Sequence, residues 1–428
     1  MKKFIYIASF ACVFIVAIIF LTVLHSEQTE EETSQSSTTE SSTFQITEPV
    51  PSKPIVIPKE TTVDLVMEDV DKRVVKKFLS KLKQCKQGPV RVVHYGDSQI
   101  EGDRITAIFR NNMQRRYGGG GPGMMTLVKR VNSLTYKQIT YKNQQEVTKA
   151  DKIVNYTAFL FKKQRDNDLY GPMGQVFVMD NDRVEGSEEM EIQVNCNKKT
   201  PVKPFNQVRL ITSEGIEGTV TTNDEQIAYH DLVSVPLQKS ISIHLAGKGD
   251  VYGISLETDK GIIVDNVAMR GSSGLIFTKI NQEQLINFFQ STNTQLIILQ
   301  FGGNIVPHLT DEAKVTKYVR DMKRQVQYLR QCAPQASFIF IGPSDMCLRL
   351  QGKRQSPIII PILDEQLKRF CHQNNIAYYS LFQMMDGAGG MANWQEKGLA
   401  GSDGIHFTLK GAALAGEQFW KWFIQAKQ

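Results

Sequence analysis

The sequence has little excess charge and no long basic run. Its 50 Lys and Arg residues are nearly balanced by 44 Asp and Glu residues, leaving a formal net charge of +6 over 428 residues. No basic block is longer than a few residues, so the pattern indicates neither a nucleic-acid groove nor a polybasic membrane patch. We therefore expect no nucleic-acid partner.

Cysteine is also scarce. The chain beyond residue 25 holds five cysteines at wide spacing: Cys85, Cys196, Cys332, Cys347 and Cys371. An odd number spread in this way is neither a disulfide framework nor a zinc-binding pattern. We expect core packing for most of them, one disulfide as the alternative for a pair, and no metal or other cofactor. The length is enough for two domains with full cores.

One long stretch lacks charge altogether. Residues 4–24 are uncharged and follow Met1-Lys2-Lys3. A run of 21 residues matches the roughly 20 needed to span a bilayer, whereas the apolar part of a cleaved signal has about 7 to 15. Cys12 lies inside the run, but Ser9-Phe10-Ala11 is a poor lipobox, which disfavours lipoprotein processing. Residues 1–25 are thus predicted to be an uncleaved transmembrane anchor, with the rest of the chain exported to the periplasmic or extracellular side.

Residues 26–58 are rich in Ser, Thr, Glu and Pro and show almost no apolar periodicity. Such a segment cannot bury enough surface to offset chain entropy. It is predicted to be a disordered linker that holds a folded body away from the membrane.

Strands and helices alternate in the remainder of the chain. Strand-like segments cover residues 90–95, 262–269, 295–301, 337–341 and 377–381. Helical periodicity covers residues 69–84, 282–292, 315–332, 360–374 and 411–426, together with the stretch after Ser98. Five strands alternating with helices predict an α/β domain with a five-stranded parallel sheet and helices on both faces.

A different periodicity separates the first strand from the others. Alternating polar and apolar runs at 191–195, 207–212, 240–245 and 251–257 are divided by Gly, Asn and Asp turns. They predict an all-β module over residues 124–260. The α/β domain would then consist of residues 59–123 and 261–428.

Ser98 follows the first strand directly, in the sequence His94-Tyr-Gly-Asp-Ser-Gln-Ile-Glu-Gly-Asp-Arg104. Ligands bind at the carboxyl edge of open α/β sheets, and a helix N-terminus there offers N–H donors to an anionic oxygen. Ser98 is therefore a candidate nucleophile. The alternative is a plain helix N-cap.

Three further segments are predicted to meet Ser98 at this edge. The second strand ends in Arg270-Gly271-Ser272-Ser273-Gly274, the third in Gly302-Gly303-Asn304, and Asp403-Gly404-Ile405-His406 precedes the last helix. Taken singly, the glycines could form a tight turn, Asn304 could cap a helix, and the last segment could be a hydrogen-bonded turn. Their order and placement together favour a catalytic site.

The chemistry of these residue types is that of acyl transfer. His406 could take the proton of Ser98, and Asp403 could fix the imidazole tautomer. A tetrahedral intermediate needs donors, for which the candidates are the N–H of Ser98, the N–H of a glycine near 271, and the Asn304 amide. His308 is a weaker rival base, and His94 is expected in the core.

These four blocks resemble the SGNH, or GDSL-like, hydrolase family. The match covers residues 85–123 and 262–428, with Gln99 where the usual motif has leucine and Ile305 where an acidic residue is common. The resemblance implies a three-layer flavodoxin-like fold, the catalytic set Ser98, Asp403 and His406, and an oxyanion hole of Ser98, Gly271 and Asn304. Gly274 is the alternative glycine donor.

The insertion after the first block is similar to the layout of bacterial peptidoglycan O-acetylesterases. This likeness implies a jelly-roll-like module, an acetylated glycan as substrate, and removal of O-acetyl groups through an acetyl-serine. Residues 125–260 contain no tryptophan, so sugar stacking there would need tyrosines. Asp97, Gly274 and Trp394 are the candidate substrate-binding residues.

Two other functions remain open on the sequence alone. An O-acetyltransferase would use the same intermediate with a sugar hydroxyl as acceptor, and could take its acetyl group from a membrane donor protein. A non-catalytic glycan-binding envelope protein would not need both a nucleophile and a base. A lysophospholipase is disfavoured because no apolar lid sequence is evident.

Overall fold

The computed structural model describes residues 62–128, 131–147, 166–179, 189–196, 202–222, 225–350 and 352–427. The predicted anchor and linker lie outside this part, and both stay predictions. Within the described residues, no helix combines the length and the hydropathy needed to cross a bilayer.

Helices and short 3₁₀ turns are distributed along the described chain. The helices are α1 (Asp69–Lys81), α2 (Thr106–Tyr117), α3 (Gln282–Ser291), α4 (Glu312–Cys332), α5 (Ile359–Gln373), α6 (Leu381–Met384), α7 (Gly390–Glu396) and α8 (Leu409–Ile424). The 3₁₀ turns are Leu82–Lys86, Ser98–Asp103, Phe277–Lys279, Gly303–His308 and Gln425–Lys427.

The strands belong to a central sheet, to the inserted module and to one small hairpin. In chain order they are β1 (Pro89–Gly96), β2 (Gly123–Met125), β3 (Lys137–Lys142), β4 (Gln145–Glu146), β5 (Phe177–Met179), β6 (Glu189–Asn195), β7 (Phe205–Thr212), β8 (Ile216–Thr222), β9 (Glu225–Tyr229), β10 (Leu232–Gln238), β11 (Ser240–Gly247), β12 (Gly249–Glu257), β13 (Gly261–Ala268), β14 (Thr294–Gln300), β15 (Ser337–Ile341), β16 (Leu348–Leu350), β17 (Lys353–Gln355) and β18 (Ala377–Tyr379).

The central sheet has five parallel strands in the order β13-β1-β14-β15-β18. Counted along the chain, this order is 2-1-3-4-5, the flavodoxin-like arrangement. The strand order reverses between β1 and β14, so a crevice opens beyond the carboxyl ends of these two strands. The predicted parallel sheet is confirmed, and the predicted strand limits agree with the observed ones to within two residues.

Apolar helix faces cover both sides of this sheet. Val75, Phe109 and Phe423 of α1, α2 and α8 belong to one buried cluster, together with sheet residues such as Val92. Phe289, Met322 and Leu367 of α3, α4 and α5 belong to another, which contains the neighbouring sheet residue Val93. Successive strand residues point to opposite faces, so the two clusters are the two outer interfaces of an α/β/α sandwich.

The inserted module consists of two antiparallel sheets. One has the order β10-β7-β12-β2 with β5 also paired to β12, and the other has the order β4-β3-β6-β11-β8-β9. Side chains from both sheets, such as Ile192, Ile243, Val208 and Ile254, share one buried cluster. The described residues of 124–260 contain no helix. The jelly-roll topology and the exact domain limits stay predictions.

A buried ion cluster joins the module to the central sheet. Arg91 of β1 bonds Asp265 of β13 at 2.7 Å and also pairs with Glu257 of β12, and all three side chains are at most 1% exposed. Glu257 in turn accepts a hydrogen bond from Arg209 of β7 at 2.9 Å. Burial removes each charged group from water at a cost in free energy, and the mutual attraction of the charges offsets this cost. Both sheets are therefore fixed to one another by charges that have no access to solvent.

The loop between α2 and β2 passes closely between these parts. A Cβ on Gly120 would lie 1.9 Å from the Pro204 carbonyl oxygen, so only glycine fits there. All five described cysteines are free and buried, which corrects the alternative of a disulfide.

Candidate active site

Ser98 begins a 3₁₀ turn directly after β1, at the crevice where the strand order reverses. The N-cap of this turn is Asp97, whose Oδ1 accepts a hydrogen bond from the Gln99 N–H at 2.9 Å. The Ser98 hydroxyl is therefore not needed as a cap. Its Oγ lies 2.8 Å from Nε2 of His406 instead.

His406 is oriented by Asp403. Its Nδ1 lies 2.6 Å from Asp403 Oδ2, and this contact places the ring proton on Nδ1 so that Nε2 can accept the Ser98 proton. Oδ1 of Asp403 accepts from the N–H groups of Ile405 and His406 at 2.9 and 3.0 Å. Burial opposes ionisation of Asp403, but these hydrogen bonds and the imidazole hold its pKa at about 2.

Gln99 connects the nucleophile turn to the histidine loop. Its Nε2 donates to the Ile405 carbonyl at 2.6 Å, and its Oε1 accepts from the Phe407 N–H at 3.3 Å. The side chain brackets His406 on both sides. Sequence reasoning treated Gln99 only as a departure from the usual leucine, because an amide next to a nucleophile gives no signal of its partners.

Arg104 adds a second connection that sequence reasoning missed. Its guanidinium is buried and donates to the Ser98 and Phe407 carbonyls, the latter at 3.0 Å. Nε donates to the Glu101 carbonyl at 2.9 Å. The turn that carries the nucleophile and the chain just after His406 are thus held by one rigid, planar group.

Asn304 lies where the predicted oxyanion donor should be. Its Nδ2 donates to the Ser272 carbonyl at 3.0 Å and to Asp97 Oδ2 at 3.3 Å. The 3₁₀ turn that contains it begins after Gly302 without a side-chain cap, so Asn304 is not a cap residue. Burial raises the pKa of Asp97 to about 6, although the hydrogen bonds from Gln99 and Asn304 lower it.

The two candidate glycines differ in what surrounds them. Gly271 has a φ of 81° and is exposed at the crevice. Gly274 is buried, its N–H donates to Ser272 Oγ at 3.1 Å, and a Cβ on it would lie 2.8 Å from the Phe301 ring. Gly274 is therefore a packing residue, which corrects its assignment as a substrate-binding candidate. Of the two glycines, Gly271 is the exposed one.

Trp394 does not line the site. Its side chain is fully buried and packs against Phe407, with ring centroids 4.8 Å apart. The expectation of a substrate contact is corrected, because the indole packs against the loop that carries His406. A tryptophan close to the loop in sequence gave no information on which side of it the ring would pack.

The other histidines are in unsuitable places for catalysis. His94 is buried in β1, bonded to Gln300 and Thr106, and burial lowers its pKa to about 3. His308 is exposed at the end of the Gly303–His308 turn. Of the three histidines considered from the sequence, only His406 contacts Ser98 among the described residues.

A small pocket opens beside Ser98 and Asn304. Its volume is about 110 Å³, and its apolar lining comes from several loops: Phe301, Pro307, Pro343, Met346, Leu348 and Leu381. Such a site is wide enough for a short acyl group next to the nucleophile. Among the described residues, no cluster of three or more His, Cys, Asp or Glu side chains could hold a metal ion.

Comparison with known proteins gives the fold. The chain is similar to the solved structure of a peptidoglycan O-acetylesterase, with a TM-score of 0.62, 21% identity, and coverage of 82% of this chain and 95% of that one. The fold is shared with that esterase.

Other similar structures cover a smaller share of the chain. A lipolytic G-D-S-L family member from Veillonella parvula has a TM-score of 0.28 and 15% identity, covering 38% of this chain and 81% of that one. A carbohydrate esterase of family 3 from Talaromyces cellulolyticus has a TM-score of 0.27 and 13% identity, covering 39% and 72%. No family model and no curated protein matches the sequence.

Proposed function

We propose that the protein is a serine esterase that removes O-acetyl groups from a cell-envelope polysaccharide through an acetyl-Ser98 intermediate. One observation carries the proposal: the continuous hydrogen-bonded series from Ser98 Oγ through the His406 ring to Asp403. A partly exposed nucleophile, a base within reach of it and a carboxylate that orients the base form the arrangement required for acyl transfer.

In the first step, Ser98 Oγ attacks the acetyl carbonyl carbon while its proton moves to His406 Nε2. The carbonyl oxygen becomes negatively charged and is bound by the N–H groups of Ser98 and Gly271 and by Asn304 Nδ2. The 3.3 Å contact between Asn304 and Asp97 is long, so the oxyanion can replace it. Each such donor is typically worth on the order of 100- to 1000-fold in rate.

In the second step, the tetrahedral intermediate collapses and the bond to the sugar oxygen breaks. His406 Nε2 returns its proton to that oxygen, so the alcohol leaves as a neutral hydroxyl. Water then loses a proton to the same nitrogen and attacks the acetyl-serine. When this second tetrahedral intermediate collapses, the bond to Ser98 Oγ breaks, His406 Nε2 returns the proton to Oγ, and acetate leaves. Asp403 stays ionised throughout, because its pKa of about 2 is far below neutral pH.

The acyl group is proposed to be acetyl because the pocket beside Ser98 is small. A volume of about 110 Å³ is far below the roughly 300 to 1,000 Å³ of sites that bind drug-sized ligands. The proposed glycan substrate rests on the fold shared with a peptidoglycan O-acetylesterase. The envelope location rests on the predicted anchor at 1–25 and linker at 26–58.

The test is hydrolysis of 4-nitrophenyl esters by the chain that begins after the predicted anchor. Acetate should be preferred over octanoate, and Ser98→Ala and His406→Ala should each abolish turnover. His308→Ala is the matched control, because His308 is exposed and does not line the pocket beside Ser98, and the activity of this variant should be unchanged. Full activity of either of the first two variants would refute the assigned roles.

The natural reaction is tested by mass spectrometry of acetate released from acetylated peptidoglycan and other acetylated polysaccharides. Acetyl transfer onto unmodified glycan, without release of acetate, would identify a transferase instead. Failure of a fluorophosphonate probe to label Ser98 would favour a non-catalytic binding protein.

A further inference from the structure

A hairpin with three cations and no acid borders the catalytic loop. It is formed by β16 and β17, and it contributes Arg349, Lys353 and Arg354, all exposed. None of the three forms an ion pair with any described residue. The hairpin therefore carries three uncompensated positive charges.

Two of these residues occupy directly opposite positions on the two strands. Arg349 and Arg354 are cross-strand partners in the register of the hairpin, so both side chains extend from the same face. Like charges at directly opposite positions destabilise a strand pair. An anion placed between two guanidinium groups would remove this repulsion, and arginine binds carboxylates and phosphates with two parallel hydrogen bonds.

The face in question lines a groove next to the catalytic acid. The groove has a volume of about 510 Å³, and its lining residues are Cys347, Leu348, Arg349, Gly352, Arg354, Ser402 and Asp403. Asp403 is the only acid among them, and its charge is already shared with His406. Leu348 lines this groove and the acyl pocket as well, so the two spaces are adjacent.

The chemistry fixes which part of a substrate would lie here. His406 must protonate the leaving oxygen, so the sugar that bears the ester lies on the side of the imidazole. The acetyl group lies on the other side, in the small pocket next to Asn304. A sugar ring leaving over His406 and Asp403 would bring its substituents toward Arg349.

We propose that Arg349 and Arg354 form a subsite for an anionic group, a carboxylate or a phosphate, carried by the glycan whose ester is cleaved. This inference rests on the proposed esterase function and adds a substrate class, acetylated acidic glycans. Arg354 has a structural part as well, since it donates to the Ser402 carbonyl at 3.1 Å. The side chain of Arg349 has no hydrogen-bond partner among the described residues, so Arg349 is the residue to vary.

The experiment measures kcat/KM on matched substrates at low salt. The carboxylate probe is an O-acetylated polygalacturonate oligosaccharide, its neutral counterpart is the same material after reduction of the carboxyl groups, and an acetylated oligosaccharide phosphate is the third. Wild type should prefer an acidic probe over the neutral one by about tenfold or more, the usual scale of a charge-assisted hydrogen bond. The acidic probe that is preferred identifies the anion.

The preference should collapse in Arg349→Gln, mainly through KM, and recover in part in Arg349→Lys. Lys323→Gln removes the same charge from an exposed position of α4 and should keep the full preference. About 0.5 M salt should reduce the preference of wild type. An unchanged preference in Arg349→Gln, or no preference in wild type, would overturn the subsite.

Turnover of 4-nitrophenyl acetate separates the two proposals. If wild type hydrolyses this neutral ester without any preference among the glycans, only the anionic subsite fails. If wild type hydrolyses neither the small ester nor any glycan, the esterase itself is refuted.

Discussion

Asp97 and Asn304 share a hydrogen bond beside Ser98, with Asn304 Nδ2 3.3 Å from Asp97 Oδ2. The carboxyl that accepts this bond is buried, and burial raises its pKa to about 6. A group with a raised pKa weakens the folded state once it ionises. Ionised Asp97 therefore lowers the stability of the folded state, although the same carboxylate accepts the hydrogen bond that holds Asn304.

The raised pKa of Asp97 predicts that the stability difference between wild type and Asp97→Asn depends on pH. Between about pH 4 and 6 the unfolded chain loses the Asp97 proton while the folded chain still holds it, so the contribution of Asp97 to stability is lost as pH rises. Relative to the variant, wild type should lose up to about 3 kcal/mol over this range and nothing further above it. Urea unfolding at pH 4, 6 and 8 measures it, and a difference that is constant with pH would contradict the prediction.

Asp403→Asn should lower kcat by on the order of 1000-fold with little loss of stability. The amide keeps the Oδ1 acceptor for the Ile405 and His406 N–H groups, but it cannot accept the His406 Nδ1 proton and so disfavours the productive tautomer. Asp403→Ala loses both functions and should also lower the melting temperature. A kcat within tenfold of wild type for Asp403→Asn would remove Asp403 from the mechanism.

Gln99→Leu, which introduces the residue usual at this position, should reduce kcat by about tenfold or more. The two hydrogen bonds around His406 are lost, and small misplacements of catalytic groups are costly in rate. Gln366→Leu, at a partly exposed position of α5, is the control and should retain full activity. Steady-state kinetics with 4-nitrophenyl acetate provides the measurement, and equal rates for Gln99→Leu and wild type would make Gln99 dispensable.

Gly404→Ala should impair catalysis more than backbone strain alone explains. Gly404 has a φ of 70°, and a Cβ on it would lie 2.4 Å from the Cys347 carbonyl oxygen. Gly398 has nearly the same φ, 67°, but nothing within 4 Å of a Cβ, so Gly398→Ala isolates the strain, about 1 to 2 kcal/mol. Comparable kcat values for the two variants would show that the contact with Cys347 is unimportant.

Arg91→Met should destabilise the protein by about 3 to 5 kcal/mol, because it leaves Asp265 and Glu257 buried without a countercharge. Arg324→Met is the comparison on the surface, where the pair with Asp321 is two-thirds exposed on the arginine side and is worth under about 1 kcal/mol. Guanidinium unfolding of both variants checks the difference. Equal losses would mean that solvent reaches the Arg91 cluster.

The sheet was predictable because its strands are short apolar runs with helices between them. The meeting of Ser98 with His406, 308 positions apart, was predictable as well, since parallel strands end at a common edge. Periodicity and strand order carry this information directly. The all-β insertion followed from a change of period in the same way.

The supporting contacts were not predictable. Gln99 and Arg104 are polar residues whose partners lie about 300 positions away, and no local pattern identifies a distant carbonyl. Trp394 was placed in the site by its position in the sequence, whereas packing decides which way an indole points. The facing of Arg349 and Arg354 depends on the register of a hairpin that the sequence reading did not include.

The Arg91 cluster also determines where this chain could be recombined with another. Half of its acids come from the catalytic sheet and half from the insertion, so a chimera cut at the ends of the insertion would separate charges that need each other. A graft that carries Glu257 without Arg91, or the reverse, would place an ion in a dry interface. Exchange of the module between proteins therefore has to keep this ion cluster intact, rather than follow the junctions visible in the sequence.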